Sequence, residues 1–153
     1  MRVASLGWGV KQSLRSYVEM NGGTFTADDG ATRAPDGAFA FEAAPESDLA
    51  VDGGTPSGTG RFRGRIGLQA HGGMLSITLT DPWIEPDASG LVLSIAESLT
   101  RRTAIARLDL AAAVEEPDGG LVIPTATTLD GMMILGDHYP LGTALDPVRL
   151  GAM

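Results

Sequence analysis

The 153-residue chain has no cysteine, so neither a disulfide framework nor a thiolate metal site can hold it together or carry its chemistry. Histidine is almost absent as well: His71 and His138 are lone residues and cannot supply the helical pair that binds zinc. Basic residues are scarce, 11 against 19 acidic ones, and the resulting net charge of −8 opposes phosphate backbones and anionic membranes. Nucleic acid is not an expected partner. No apolar run approaches the ~20 residues that cross a bilayer, and Met1 to Ser5 lacks the apolar core of a signal peptide. No membrane span is expected, and the chain as written reads as cytoplasmic. Common catalytic and phosphate motifs are missing too. Gln12 stands where a dinucleotide loop after Gly7-Trp8-Gly9 needs its third glycine, and no Gly-x-Ser-x-Gly elbow occurs. The run from Asp52 to Gly60 is a loop without the Gly-Lys-Ser/Thr ending of a phosphate-binding one.

What is present is a β rhythm. Twenty-one glycines and nine prolines separate short runs rich in Val, Ile, Leu, Thr and Phe. Strands are expected at Thr24 to Ala27, Phe39 to Phe41, Leu49 to Val51, Leu91 to Ala96, Thr103 to Leu110 and Leu121 to Thr128. The clearest signal is a hairpin. Phe62, Ile66 and Leu68 alternate with polar residues, as do Leu75, Ile77 and Leu79, and Gly72-Gly73 between them suits a type I′ turn. Pairing His71 with Met74 makes partner numbers sum to 145, which sets Leu68 opposite Ile77, Ile66 opposite Leu79, and Phe62 opposite Trp83. His71 then sits at the hairpin tip. The length suits one domain, residues 1–153, large enough to bury ~70% of its unfolded surface.

The exception to the rhythm is Leu6 to Met20, which reads as a short amphipathic helix with Val10, Leu14, Tyr17 and Val18 on one face. Asn21-Gly22-Gly23 ends it. Ser13 precedes Tyr17 by one turn, and Met20 follows it, so a hydroxyl and a thioether flank the phenol. Taken alone, such a tyrosine is half-buried and structural. Arg61, Arg63 and Arg65 form a solvated strand face, or else pair with carboxylates or with ligand anions. Trp8 and Trp83 are expected in the core, and His138 in a surface loop.

Three stretches together resemble the HtaA-type haem-binding domain of bacterial haem uptake: Trp8-Gly9-Val10-Lys11 through Ser13 to Tyr17-Val18; His71-Gly72-Gly73 with Leu75 and Thr80-Asp81-Pro82; and Tyr139 to Val148 with its Asp-Pro. The resemblance implies an antiparallel β-sandwich with one short N-terminal helix packed at one end. It implies that Tyr17 ligates the iron of ferric haem, His71 hydrogen-bonds that tyrosine, and Ser13 joins the same site. It also implies haem transport without catalysis, another haem-carrier protein as a partner, and a place outside the cell or in its envelope. The expected alternative is a haem-free interaction module, or a domain that binds another apolar ligand. One geometric expectation follows. Tyr17 and His71 must come within hydrogen-bond reach beside an apolar cleft walled by Met20 or Met74.

Overall fold

Fifteen strands and two helices make up the described part of the chain, residues 1–136 and 139–152 of the computed structural model. His138 lies outside these residues. The first half contains β1 (Val3–Trp8), helix α1 (Gln12–Met20), β2 (Thr24–Asp28), β3 (Ala31–Arg33), β4 (Phe39–Ala43), β5 (Ala50–Asp52), β6 (Thr55–Ser57) and β7 (Gly60–Arg63). Then come β8 (Arg65–Ala70), β9 (Leu75–Thr80), β10 (Trp83–Asp87), β11 (Gly90–Ala96) and β12 (Arg102–Leu108). The last elements are β13 (Val114–Glu115), β14 (Leu121–Thr127), helix α2 (Leu129–Ile134) and β15 (Ala144–Ala152).

The expectation of a mostly β protein is met, but the main sheet is not a clear sandwich. Strand β1 pairs with β15 on one side and with β4 on the other. The order β1-β15-β14-β12-β11-β10-β7-β4 therefore returns to β1, and eight antiparallel strands close into a barrel-like ring. A ring of that size has an interior that side chains can fill. Period-two patterning fills it: Leu121, Ile123, Thr125 and Thr127 of β14 are buried while their neighbours face outward, and Leu6, Trp8, Phe39, Phe41, Phe62, Ile84 and Leu93 pack with them.

The first six residues of the expected helix are not helical. Leu6, Gly7 and Trp8 belong to β1, and α1 starts only at Gln12. Leu6, Trp8 and Val10 are spaced by two and all buried, so the strand period competes with the helical one for the same side chains. Val10 turns the chain from strand to helix at φ 62°. A second helix, α2, was not expected. Its signal is Thr128, whose hydroxyl caps it by accepting from the Gly131 N–H. The loop expected from 52 to 60 also contains a small hairpin of β5 and β6, and Leu110–Ala112 forms a short 3-10 turn.

The predicted hairpin register holds up to Ala70 and Leu75, but His71 and Met74 do not extend it: His71 takes φ 54° and His71–Gly73 forms a 3-10 turn. Strands β8 and β9 pair from Arg65 with Thr80 to Ala70 with Leu75, each pair summing to 145. Gly72 and Gly73 both take positive φ, and the Met74 N–H donates to the His71 carbonyl, as the type I′ turn demands. The register ends at Gly64, where φ is 141°, and at Asp81, where it is 47°. Beyond this corner the chain enters the ring, so Trp83 faces Arg61 rather than Phe62, and Phe62 faces Ala43. Trp83 is accordingly half-buried, with the guanidinium groups of Arg102 and Arg61 3.9 and 5.0 Å from its ring centre.

Candidate functional site

Helix α1 is anchored at its start by one residue from the far end of the chain. The Asp146 carboxylate accepts the Gln12 N–H at 2.9 Å, in the first turn where helix N–H groups lack partners, and pairs with Arg15 at 2.6 Å. The Asp146 carbonyl accepts from the Trp8 indole at 2.7 Å and the Thr125 hydroxyl at 2.8 Å. Leu14 and Val18 face the core and are buried. Past the helix, Thr24 pairs with Gln69, so β2 joins β8 beside the hairpin tip. This pairing brings the C-terminal half of α1 next to His71.

Tyr17 and His71, 54 positions apart, meet there. The phenol oxygen lies 2.5 Å from His71 Nε2, with the rings edge to face at a centroid separation of 5.5 Å. Tyr17 is 46% exposed, so its oxygen is available at the surface. A groove of about 260 Å³ opens beside the pair, lined among others by Met74, Ile77, Met133 and Ile134. A second one runs along α1 past Gln12, Ser13, Ser16, Tyr17 and Met20. Met20, Met74 and Met133 are all largely exposed, an unusual amount of apolar side chain in water around one tyrosine. The expected cleft with methionine walls is present, and α2 adds Met133 to it.

Ser13 is on the same stretch of helix but does not touch this pair. Burial pushes the phenol of Tyr139 above the usual tyrosine range, with the Ser13 hydroxyl acting in the opposite direction. The three strand arginines are occupied elsewhere: Arg63 pairs with Glu42, Arg65 with Asp28, and Arg61 donates to the Glu46 carbonyl.

A phenol and an imidazole in short contact can share one proton, with either ring as donor according to its protonation state. If a metal displaces the phenol proton to solvent, a protonated Nε2 becomes the donor and steadies the phenolate oxygen. The fold and this pair thus define a class: a closed antiparallel β protein that holds an exposed, histidine-supported tyrosine in an apolar groove. The chain belongs to the HtaA family, whose model matches residues 3–151. Among solved structures, the N-terminal domain of HtaA from Corynebacterium glutamicum is similar with a TM-score of 0.74 and 24% identity, over 99% of each chain. Its C-terminal domain gives 0.70 and 23%, over 97% of this chain and 95% of that one. The haem-binding protein HtaB of the same organism gives 0.68 and 18%, over 97% and 91%. No curated protein matches the chain. No helix of the described residues is long and apolar enough to cross a membrane.

Proposed function

We propose that this chain binds ferric haem through Tyr17 as the iron ligand, with His71 as the hydrogen-bond partner of the ligating oxygen, and carries it without chemical conversion. The observation that carries the reading is the 2.5 Å contact between an exposed phenol and an imidazole in a groove of exposed methionines. Family membership and a haem-binding structural relative support it. The residues fit the ligand chemically. Tyr17 offers a hard oxygen donor suited to ferric iron, Met20, Met74 and Met133 offer adaptable apolar surface for a porphyrin, and Ser13 offers a hydroxyl one turn away. Bound ferric iron supplies the positive charge that favours the ionised phenol. His71 would then donate from Nε2 to the ligating oxygen and hold it in place. A second acid–base group in the grooves is lacking among the described residues, which favours carriage over peroxide chemistry. An open, surface-exposed site also suits exchange of haem with another carrier protein.

Titrating the apo protein with hemin should give a saturable one-to-one complex with a tyrosinate-type spectrum. Tyr17→Phe should abolish that spectrum, and His71→Ala should weaken binding. Unchanged binding by Tyr17→Phe would refute the ligand assignment.

A further inference from the structure

The methionines of the described residues divide sharply by position. Met1 packs against the core and Met132 is half-buried. Met20, Met74 and Met133 are 85%, 91% and 73% exposed. These three come from separate elements, the end of α1, the residue after Gly72-Gly73 and helix α2, yet all of them border Tyr17. Met20 lies beside it in the groove along α1, and Met74 and Met133 line the groove that it shares with His71. Apolar surface alone does not explain the choice of residue. Leucine offers as much, and stands exposed on α2 itself at Leu129. What methionine adds is an unbranched, adaptable chain and a sulfur that oxidants attack.

We propose that Met20, Met74 and Met133 form an oxidant-sensitive rim, and that their conversion to sulfoxides by hydrogen peroxide switches off ligand loading at Tyr17. This rests on the haem reading above. The reaction needs only the thioether and the peroxide. A sulfur lone pair attacks one peroxide oxygen, the S–O bond forms as the O–O bond breaks, and the departing hydroxide takes the proton of the transferred oxygen and leaves as water. Sulfur is oxidised by two electrons and peroxide is reduced by two. Exposure gives peroxide free access to all three sulfurs, whereas Met1 and Met132 are shielded. Each sulfoxide sets a polar, hydrogen-bond-accepting oxygen on the surface that a porphyrin face would cover. Covering that oxygen without a partner costs free energy that covering a thioether does not. The phenol and imidazole are unchanged, so the iron ligand stays intact while the surface that holds the macrocycle becomes polar. Reduction of the sulfoxides restores the apolar rim, which makes the switch reversible.

The test treats the apo protein with hydrogen peroxide, removes the peroxide, and then titrates with hemin. Peptide mass spectrometry should find sulfoxide at Met20, Met74 and Met133 well before Met1 and Met132. The hemin Kd of oxidised wild type should rise roughly tenfold over that of untreated protein, the scale of burying an unpartnered polar group. Thermal unfolding should not move, because the three side chains are exposed. Incubation with methionine sulfoxide reductases should return Kd to its starting value. A triple variant, Met20→Leu with Met74→Leu and Met133→Leu, should show no rise on treatment. It is compared only with its own untreated form, so any direct effect of the substitutions on binding cancels. Unchanged Kd despite the sulfoxides, a loss of thermal stability in step with the rise, earlier oxidation of Met1 or Met132, or an equal rise in the triple variant would each overturn the switch while leaving Tyr17 as ligand. Untreated wild type that fails to bind hemin would overturn the haem reading, and the switch with it.

Discussion

Asp146 does four jobs with one short side chain and its carbonyl: it accepts from Gln12, pairs with Arg15, and receives the Trp8 indole and the Thr125 hydroxyl. This explains why Gly9 is a glycine. A Cβ there would stand 2.3 Å from both Arg15 Nη1 and Asp146 Oδ2, far inside van der Waals contact. The arginine end is flexible, but it is tied to the Gly9 carbonyl at 2.8 Å and to the carboxylate at 2.6 Å, so it cannot yield without breaking the anchor. Gly9→Ala should therefore destabilise the fold by about 2 kcal/mol, through overpacking and loss of the pair. Urea unfolding measures it. On the proposed haem reading the variant should also bind hemin more weakly, because α1 carries Tyr17 on this hinge. A change below about 0.5 kcal/mol would mean that the anchor adjusts freely.

At the level of elements, the hairpin was legible because its information is local. Alternation sets the faces, Gly72-Gly73 sets the turn, and the pairing sum then holds from Ala70 to Arg65. Nothing local announces the corner at Gly64, where the strand changes sheets, so the extrapolation to Phe62 failed there. The start of α1 is ambiguous in the sequence for a different reason: Leu6, Trp8 and Val10 satisfy a strand period, while Val10, Leu14 and Val18 satisfy a helical one. The resemblance implies the meeting of Tyr17 with His71, whereas Met133 reaches the groove on α2, whose local signal is the Thr128 cap. His71 has the left-handed conformation at φ 54°, which a non-glycine residue holds at a cost of about 1 kcal/mol. The exposed bond to Tyr17 returns a comparable amount. His71→Gly should consequently change thermal stability by no more than about 1 kcal/mol while, on the proposed haem reading, weakening hemin binding. Large destabilisation would show that the imidazole serves the fold rather than the site.

Closure of the ring could not be read from the sequence, because it depends on β1 choosing both Glu42 in β4 and Gly151 in β15 as partners of Ser5. Alternation says that a strand exists and which face is buried, not which distant edge it will join. Once closed, the ring is cross-strapped on its outside by ion pairs. One of them joins Asp87 at the end of β10 to Arg107 in β12, with contacts of 2.6 and 3.2 Å across the width of β11. The Arg107 guanidinium, with help from the Ser89 N–H, holds the Asp87 carboxyl down at about 2, below its ordinary value of 3.8. A carboxyl lowered on folding stabilises the native state fully above its unfolded value. That contribution is lost as pH falls from about 4 through about 2, where the folded-state carboxyl takes up its proton. The pair is exposed, so solvent and salt screen it and the effect is small. Its pH profile is nevertheless specific. Urea midpoints of wild type and Asp87→Asn, measured from pH 5 to pH 2 at low salt, should differ in favour of wild type at pH 5 and converge toward pH 2. Asparagine keeps an oxygen for the Ser89 N–H, so the difference isolates the charge. A gap that stays constant across the series, or widens on acidification, would show that Asp87 acts through hydrogen-bond geometry and not through its ionisation.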